Sequence, residues 1–131
     1  MEYSVQPLRL DVEKPLDETR ELLEKQLNEN GFGILSIINF SDILKNKLGA
    51  EIERTVILGV CNPHIAYEAV KIDSDVGLLL PCNITLKEYE DKTAIAIANP
   101  FDLLSQDNLH TIAIKAYELL SKVLENTAKL L

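Results

Sequence analysis

The feature that most constrains the fold of this chain is an apolar strand that runs directly into a helix start. Residues 56–61 read Val-Ile-Leu-Gly-Val-Cys, a continuous apolar run typical of a buried β-strand. Asn62 and Pro63 follow at once. Asn is a favoured N-cap and Pro is favoured in the first helical turn, so together they are a strong helix start. The sequence therefore predicts a strand-to-helix junction immediately after Cys61.

A second Cys-Asn step, Cys82-Asn83, lies in another apolar stretch. This stretch predicts a long strand from Gly77 to Tyr89, which Pro81 interrupts. A proline inside a strand marks an edge or a bulge, and bulges can redirect side chains near a site. Since strand side chains alternate, Cys82 is expected to share an apolar face with Leu78, and Asn83 is expected on the opposite face.

The other elements follow from periodicity and from turn residues. Further strands are predicted at Glu2–Leu8, Gly33–Phe40, Arg54–Val60 and Thr93–Ala98. Helices are predicted to begin at Pro15, at Asp42 with Ser41 as N-cap, at Pro63, and near Asn108, with a helical turn at Pro100–Leu104 and a turn at Asp11–Lys14. The order β-α-β-α-β-α-β-β-α predicts an α+β fold in a single domain spanning residues 1–131, with a mostly antiparallel sheet and helices packed on one face.

Charge and composition argue against several classes of partner. The net charge is -8, aromatic residues make up 5% of the chain, and Trp is absent. An acidic surface repels phosphate backbones, so no nucleic-acid partner is predicted. No apolar run approaches the roughly 20 residues that span a bilayer, and no secretory signal is visible, so the expected location is the cytoplasm and no membrane partner is predicted. A disulfide between the two cysteines is not the expected state there.

Cys61 is the candidate nucleophile. It lies at the end of a strand and just before a helix start, where free N–H groups and the helix dipole favour a thiolate. His64 could then act as a neutral base or ligand beside it. The alternative is that Cys61 is a small apolar residue closing a strand, and for Cys82 packing is the favoured interpretation. No metal site is predicted, because the two cysteines, His64 and nearby aspartates match no known ligand spacing.

Several segments of the chain share the motifs of one family. They are residues 31–35, 44–49, 57–63 (Ile-Leu-Gly-Val-Cys-Asn-Pro), 66–69 and 77–83 (Gly-Leu-Leu-Leu-Pro-Cys-Asn). On these motifs the chain resembles the bacterial and archaeal domain-of-unknown-function family 302, over roughly Glu2 to Val123. The resemblance implies a compact α+β protein that has a curved antiparallel sheet and pairs as a homodimer. It implies no established activity. Asn39 stands where the family more often has an acidic residue.

Three functions are consistent with these observations. The favoured one is a homodimeric domain that binds a small molecule or cofactor in a pocket near the two Cys-Asn segments, with Asn62, His64, Cys82 and Asn83 as candidate ligand-binding residues. The first alternative is a thiol-dependent redox or detoxifying enzyme that uses Cys61. The second is an interaction or scaffold protein with structural cysteines. The sequence identifies no cofactor and leaves enzymatic activity open.

Overall fold

The structure, a computed structural model, describes residues 6–130, and its five strands form one antiparallel sheet. The strands are β1 (Leu8–Val12), β2 (Gly33–Asn39), β3 (Thr55–Cys61), β4 (Cys82–Tyr89) and β5 (Lys92–Ile97). Their order across the sheet is β1-β5-β4-β3-β2, and every neighbouring pair is antiparallel. Within the described residues, β1 and β2 are therefore the two edges of the sheet.

Within residues 6–130, five α-helices accompany the sheet. They are α1 (Leu16–Glu29), α2 (Phe40–Leu48), α3 (Pro63–Ile72), α4 (Pro100–Leu103) and α5 (His110–Lys129), with short 3-10 turns at Val76–Leu78 and Asp107–Leu109. The predicted α+β class and order of elements are confirmed, with α4 as the helical turn expected after β5. None of the helices in residues 6–130 combines the length and the apolarity that crossing a membrane requires.

The main core lies between one face of the sheet and the two long helices, α1 and α5. Leu23 and Leu27 of α1 and Leu120 of α5 are completely buried, and they pack with Leu58 and Ile84 from the middle strands. The buried positions of α1 and of α5 recur at three- and four-residue spacing, so each helix has one buried stripe. Burying those stripes against the alternating apolar positions of the strands is what holds the helices on one face.

The first strand begins later than the sequence pattern predicts. The predicted strand Glu2–Leu8 lies largely outside the described residues, and β1 runs from Leu8 to Val12. Asp11, predicted to start a turn, is paired with Ala94 in β5, and Val12 is buried. The error has a simple physical reason: an edge strand tolerates a charged residue on its solvent side, so Asp11 did not have to end it.

The long strand predicted from Gly77 to Tyr89 is wrong in its first part. Val76–Leu78 forms a 3-10 turn, the Leu80–Pro81 peptide is cis, and β4 begins only at Cys82. Leu78 is 87% exposed and shares no face with the buried Cys82. Pro81 has no N–H to offer to a neighbouring strand, so regular pairing can start only after it.

The start of α2 also differs from the prediction. The helix begins at Phe40, with Asn39 at the N-cap position, so Ser41 is inside the first turn and does not cap it. The Ser41 hydroxyl instead accepts a hydrogen bond from the backbone N–H of Thr55 at 3.0 Å and lies 3.4 Å from the Thr55 carbonyl. Ser41 therefore ties α2 to the beginning of β3.

Candidate functional site

The antiparallel pairing of β3 and β4 brings the two Cys-Asn segments together. Cys61 is the last residue of β3 and Cys82 is the first residue of β4. In the register of these strands Val60 lies opposite Cys82, which places Cys61 one position further along. The two cysteines are therefore not a direct cross-strand pair, and both are free.

A small apolar cavity lies at this end of the strands. Both cysteines line it, and α3 and α5 close it from the side of the core. Its other walls include Phe32, Ile65, Ala66, Leu80, Ile112 and Ala116. The space open to a water-sized sphere is about 20 Å³, which is room for about one water molecule. Three alanines on its two helices, at positions 66, 69 and 116, keep this space from being filled.

The electrostatic environment of the cavity keeps both thiols protonated. Burial raises the pKa of the Cys61 thiol above its ordinary value. For Cys82, burial and, to a smaller extent, the nearby Cys61 raise the pKa to about 11. The effect of burial on Cys61 is thus opposite to the thiolate-favouring effect expected from the start of α3. At neutral pH the cavity presents two neutral, polarisable sulfur atoms.

Asn62 lines the cavity, but its side-chain amide is engaged in holding the fold. Its Oδ1 accepts hydrogen bonds from the backbone N–H groups of His64 at 3.1 Å and Ile65 at 3.3 Å, which caps α3 as the sequence predicts. Its Nδ2 donates to the carbonyl of Asn30 at 3.4 Å. Asn62 therefore links the end of α1 to the start of α3, while its role toward a ligand stays a prediction.

His64 and Asn83 do not line the cavity. Both are exposed, and neither is among the residues that line it. Asn83 lies opposite Gly59 in the sheet, on positions that alternate with the buried face. The structure thus brings together Cys61, Asn62 and Cys82 but not the other two candidates. Across residues 6–130, no three His, Cys, Asp or Glu side chains are grouped so that they could hold a metal ion.

The helical walls of the cavity were not identified as site residues from the sequence. Ile65, Ala66 and Ala69 of α3 and Ile112 and Ala116 of α5 carry apolar side chains at helical spacing. That signal shows which face of each helix is buried. It does not show that the two faces meet at the same pair of strand ends, because this depends on tertiary packing.

Gly59, in the middle of β3, allows an unusually close approach from two sides. A Cβ atom at this position would collide with the Ser36 Oγ of β2 and would lie 3.1 Å from the Cγ of Pro81. Ser36 and the ring of Pro81 therefore both lie over the same notch in the sheet. Any side chain larger than that of glycine would displace one of them.

Known proteins with similar sequence or structure support this fold. The family described as "Domain of unknown function DUF302" matches residues 8–127. The chain belongs to the DUF302 family. This confirms the resemblance seen in its motifs. The fold is similar to the crystal structure of an uncharacterised conserved DUF302 protein from Bacillus stearothermophilus, with 28% sequence identity and a TM-score of 0.85 over 95% of this chain and 99% of that chain. No functionally curated protein matches this DUF302 sequence.

Proposed function

We propose that this DUF302 chain is a homodimeric binding protein for a small, neutral, apolar molecule or cofactor, and that the ligand binds between the two Cys-Asn segments. The observation that carries the proposal is that Cys61 and Cys82, 21 positions apart in the sequence, line one apolar cavity. Small-molecule sites are typically concave, mostly apolar and provided with few polar groups. This cavity has that character, on a small scale.

The size of the cavity requires one of its walls to move when a ligand binds. Organic ligands usually occupy about 300–1,000 Å³, whereas the space here is about 20 Å³. The wall best suited to move is the segment from Gly77 to Pro81, which follows the buried Val76 and places Leu80 against the cavity. The backbone hydrogen bonds of Leu78 and Leu79 reach back only three residues, so none of them ties this turn to the sheet.

The state of the thiols supports binding over nucleophilic catalysis. The thiolate is the reactive form of cysteine, and burial raises the pKa of both thiols, so little thiolate exists at neutral pH. Neutral thiols behave as small apolar groups that pack well against apolar ligands. The enzyme alternative therefore needs an activating group, and His64, its candidate, is exposed on α3 and does not line the cavity.

The test is whether a ligand occupies the cavity and leaves when the cavity is filled. Native mass spectrometry of the purified protein detects a retained molecule, and titration with the neutral dye Nile red detects an empty site. We expect an added mass, or saturable dye binding at one molecule per chain, in the wild type. Ala66→Leu, which enlarges a residue of the cavity wall, should abolish either signal.

A matched control separates cavity filling from general effects of a larger helical side chain. Ala128 is exposed near the end of α5, so Ala128→Leu makes the same change away from the cavity. It should leave both signals unchanged. A wild type without any retained mass, together with dye binding that Ala66→Leu does not alter, would show that the cysteines only pack the core.

A further inference from the structure

Helix α2 has an apolar stripe that the described part of the monomer, residues 6–130, leaves largely exposed. Phe40, Ile43, Leu44 and Leu48 recur at three- and four-residue spacing, yet no residue of α2 is buried. Leu48 is 75% exposed. A nine-residue helix is marginal in water unless its apolar face is packed. The stripe therefore indicates a missing packing partner.

The neighbouring edge strand β2 has the same character. It reads Gly-Ile-Leu-Ser-Ile-Ile-Asn, with no charged residue and no proline, and its large side chains at Leu35, Ile37 and Ile38 are exposed. Its outer backbone edge has no strand partner within residues 6–130. Proteins usually protect such an edge with charges or proline, since an unprotected edge pairs with another strand.

We call the exposed apolar side chains of β2 and α2 together the β2–α2 surface: Leu35, Ile37, Ile38, Phe40, Ile43 and Leu48. Ile37 and Ile38 project from opposite faces of the edge strand, so a strand paired with this edge would meet side chains on both faces. Charge favours a second copy of the chain as its partner. Between residues 33 and 52 two acidic residues, Asp42 and Glu51, are balanced by Lys45 and Lys47, whereas the whole chain carries -8. Two copies would repel each other through most of their surface, but not through this neutral part.

We propose that two copies of the chain dock through the β2–α2 surface. Their β2 strands would pair antiparallel about a two-fold axis, and the α2 helices would cover the paired strands. Antiparallel pairing of two identical strands is compatible with a two-fold axis. If residue i of one copy faces residue j of its partner, then residue j of the first copy faces residue i of the partner. A bulge lies between Ile34 and Ser36 on the β3 side, so regular pairing is available from Ser36 to Asn39. The inference rests on the proposed homodimer and assigns its interface.

A single matched pair of variants tests this interface. Ile37 in β2 and Ile72 at the end of α3 are both isoleucines with 45% exposure, so Ile37→Lys and Ile72→Lys make the same change at two places. We expect the wild type to sediment as a dimer, and Ile37→Lys to weaken dimerisation about 100-fold or more, because each copy would bury an unpaired charge. Ile72→Lys should dimerise like the wild type.

A second variant protects the test against a folding defect in the strand. Leu48→Lys changes a highly exposed residue of α2, so it should weaken the dimer while circular dichroism stays unchanged. A wild type that remains monomeric at 100 μM and above, or a dimer that both Ile37→Lys and Leu48→Lys leave intact, overturns the proposal. A protein concentration of 100 μM is about a hundred times a dissociation constant of 1 μM, so a dimer of micromolar affinity would be almost completely formed.

The same proteins distinguish a wrong interface from a wrong ligand site. Ile37→Lys should still show a retained mass or saturable Nile red binding, even where its affinity differs from that of the wild type, because Ile37 does not line the cavity. Ala66→Leu should lose that signal and remain a dimer. If Ala66→Leu keeps the ligand signal while Ile37→Lys is monomeric, the ligand site fails and the interface stands.

Discussion

The two edges of the sheet differ in the way they face solvent. In β1 the outward positions are charged, Arg9 and Asp11, and alternate with the inward Leu10 and Val12. In β2 the outward positions carry no charge at all. A charged edge discourages pairing with another chain, whereas an uncharged edge permits it. Within one sheet, the β1 edge is therefore protected against pairing with another chain, and the β2 edge is open to such pairing.

The largest expected effect comes from giving β1 the character of β2. The double variant Arg9→Ile and Asp11→Ile removes both charges from that edge, so we expect each chain to pair at two edges and to form open chains of dimers. Size-exclusion chromatography with light scattering should show assemblies that grow with concentration. The same double change in an Ile37→Lys background should give dimers that pair through β1. Assemblies no larger than those of the wild type would show that charge does not protect β1.

A smaller effect, on the free energy of unfolding, distinguishes residues that are buried in the monomer from residues that would be buried only in the dimer. Val12 is 1% exposed, so Val12→Ala should lower the free energy of unfolding by about 2 kcal/mol at any protein concentration. Ile37→Ala should cost little in dilute protein, and its cost should grow as the concentration rises, because the dimer then contributes to stability. Urea unfolding at two concentrations measures both. An Ile37→Ala cost independent of concentration would contradict burial of Ile37 between copies.

The two cysteines of the middle strands, β3 and β4, provide a reference for the stability cost of a substitution away from both edges. Cys82 is 7% exposed on the buried face, so Cys82→Ser should cost about 1.5 kcal/mol by placing a hydroxyl among apolar groups. Cys61→Ser, at the half-buried strand end, should cost less. Urea unfolding of both variants decides the order, and a larger loss at Cys61 would reverse the assignment of their environments.

The same thiol makes stability depend on alkaline pH. The pKa of Cys82 is raised from 9.0 to about 11 on folding. A raised pKa means that the folded state favours the neutral thiol, so this contribution is complete below pH 9 and is lost as the pH rises from about 9 to 11. Cys82→Ala should flatten the fall in stability over that range. An unchanged fall in the variant would assign the effect to other groups.

The smallest effect expected is a difference in reaction rate between the two cysteines. Alkylation by iodoacetamide requires the thiolate, so the raised pKa values predict slow reaction at pH 7 for both residues and a rate that climbs with pH. Cys61, which is more exposed, should react first. Peptide mass spectrometry resolves the two. Fast reaction of Cys61 at pH 7 would favour the thiol-enzyme alternative.

Much of the fold could be predicted because local patterns and tertiary packing agree. Asn62-Pro63 starts α3 as expected, and the hairpin between β4 and β5 turns at Glu90 and Asp91, which adopt the positive φ values of 51° and 62°. The buried stripe of α5 is also as expected. In each case a short stretch of sequence contains the whole physical cause.

Other features could not be predicted, because their causes lie in distant residues. The apolar run from Gly77 to Leu80 is compatible with a strand or with a packed turn, and only the surrounding core decides between them. The proximity of Cys61 and Cys82 depends on the pairing register of β3 and β4. The open edge of β2 depends on the order of strands in the sheet, which single-strand patterns do not contain.

The notch at Gly59 has a consequence for how the two proposed surfaces communicate. Ser36 belongs to the part of β2 available for pairing, and Pro81 ends the cavity wall that must move, yet both lie over the same Cα atom. A ligand that displaced Pro81 would release space beside Ser36, and a partner strand that fixed Ser36 would restrict Pro81. Ligand affinity and dimer affinity would then be thermodynamically coupled, each altered by the other through the same factor.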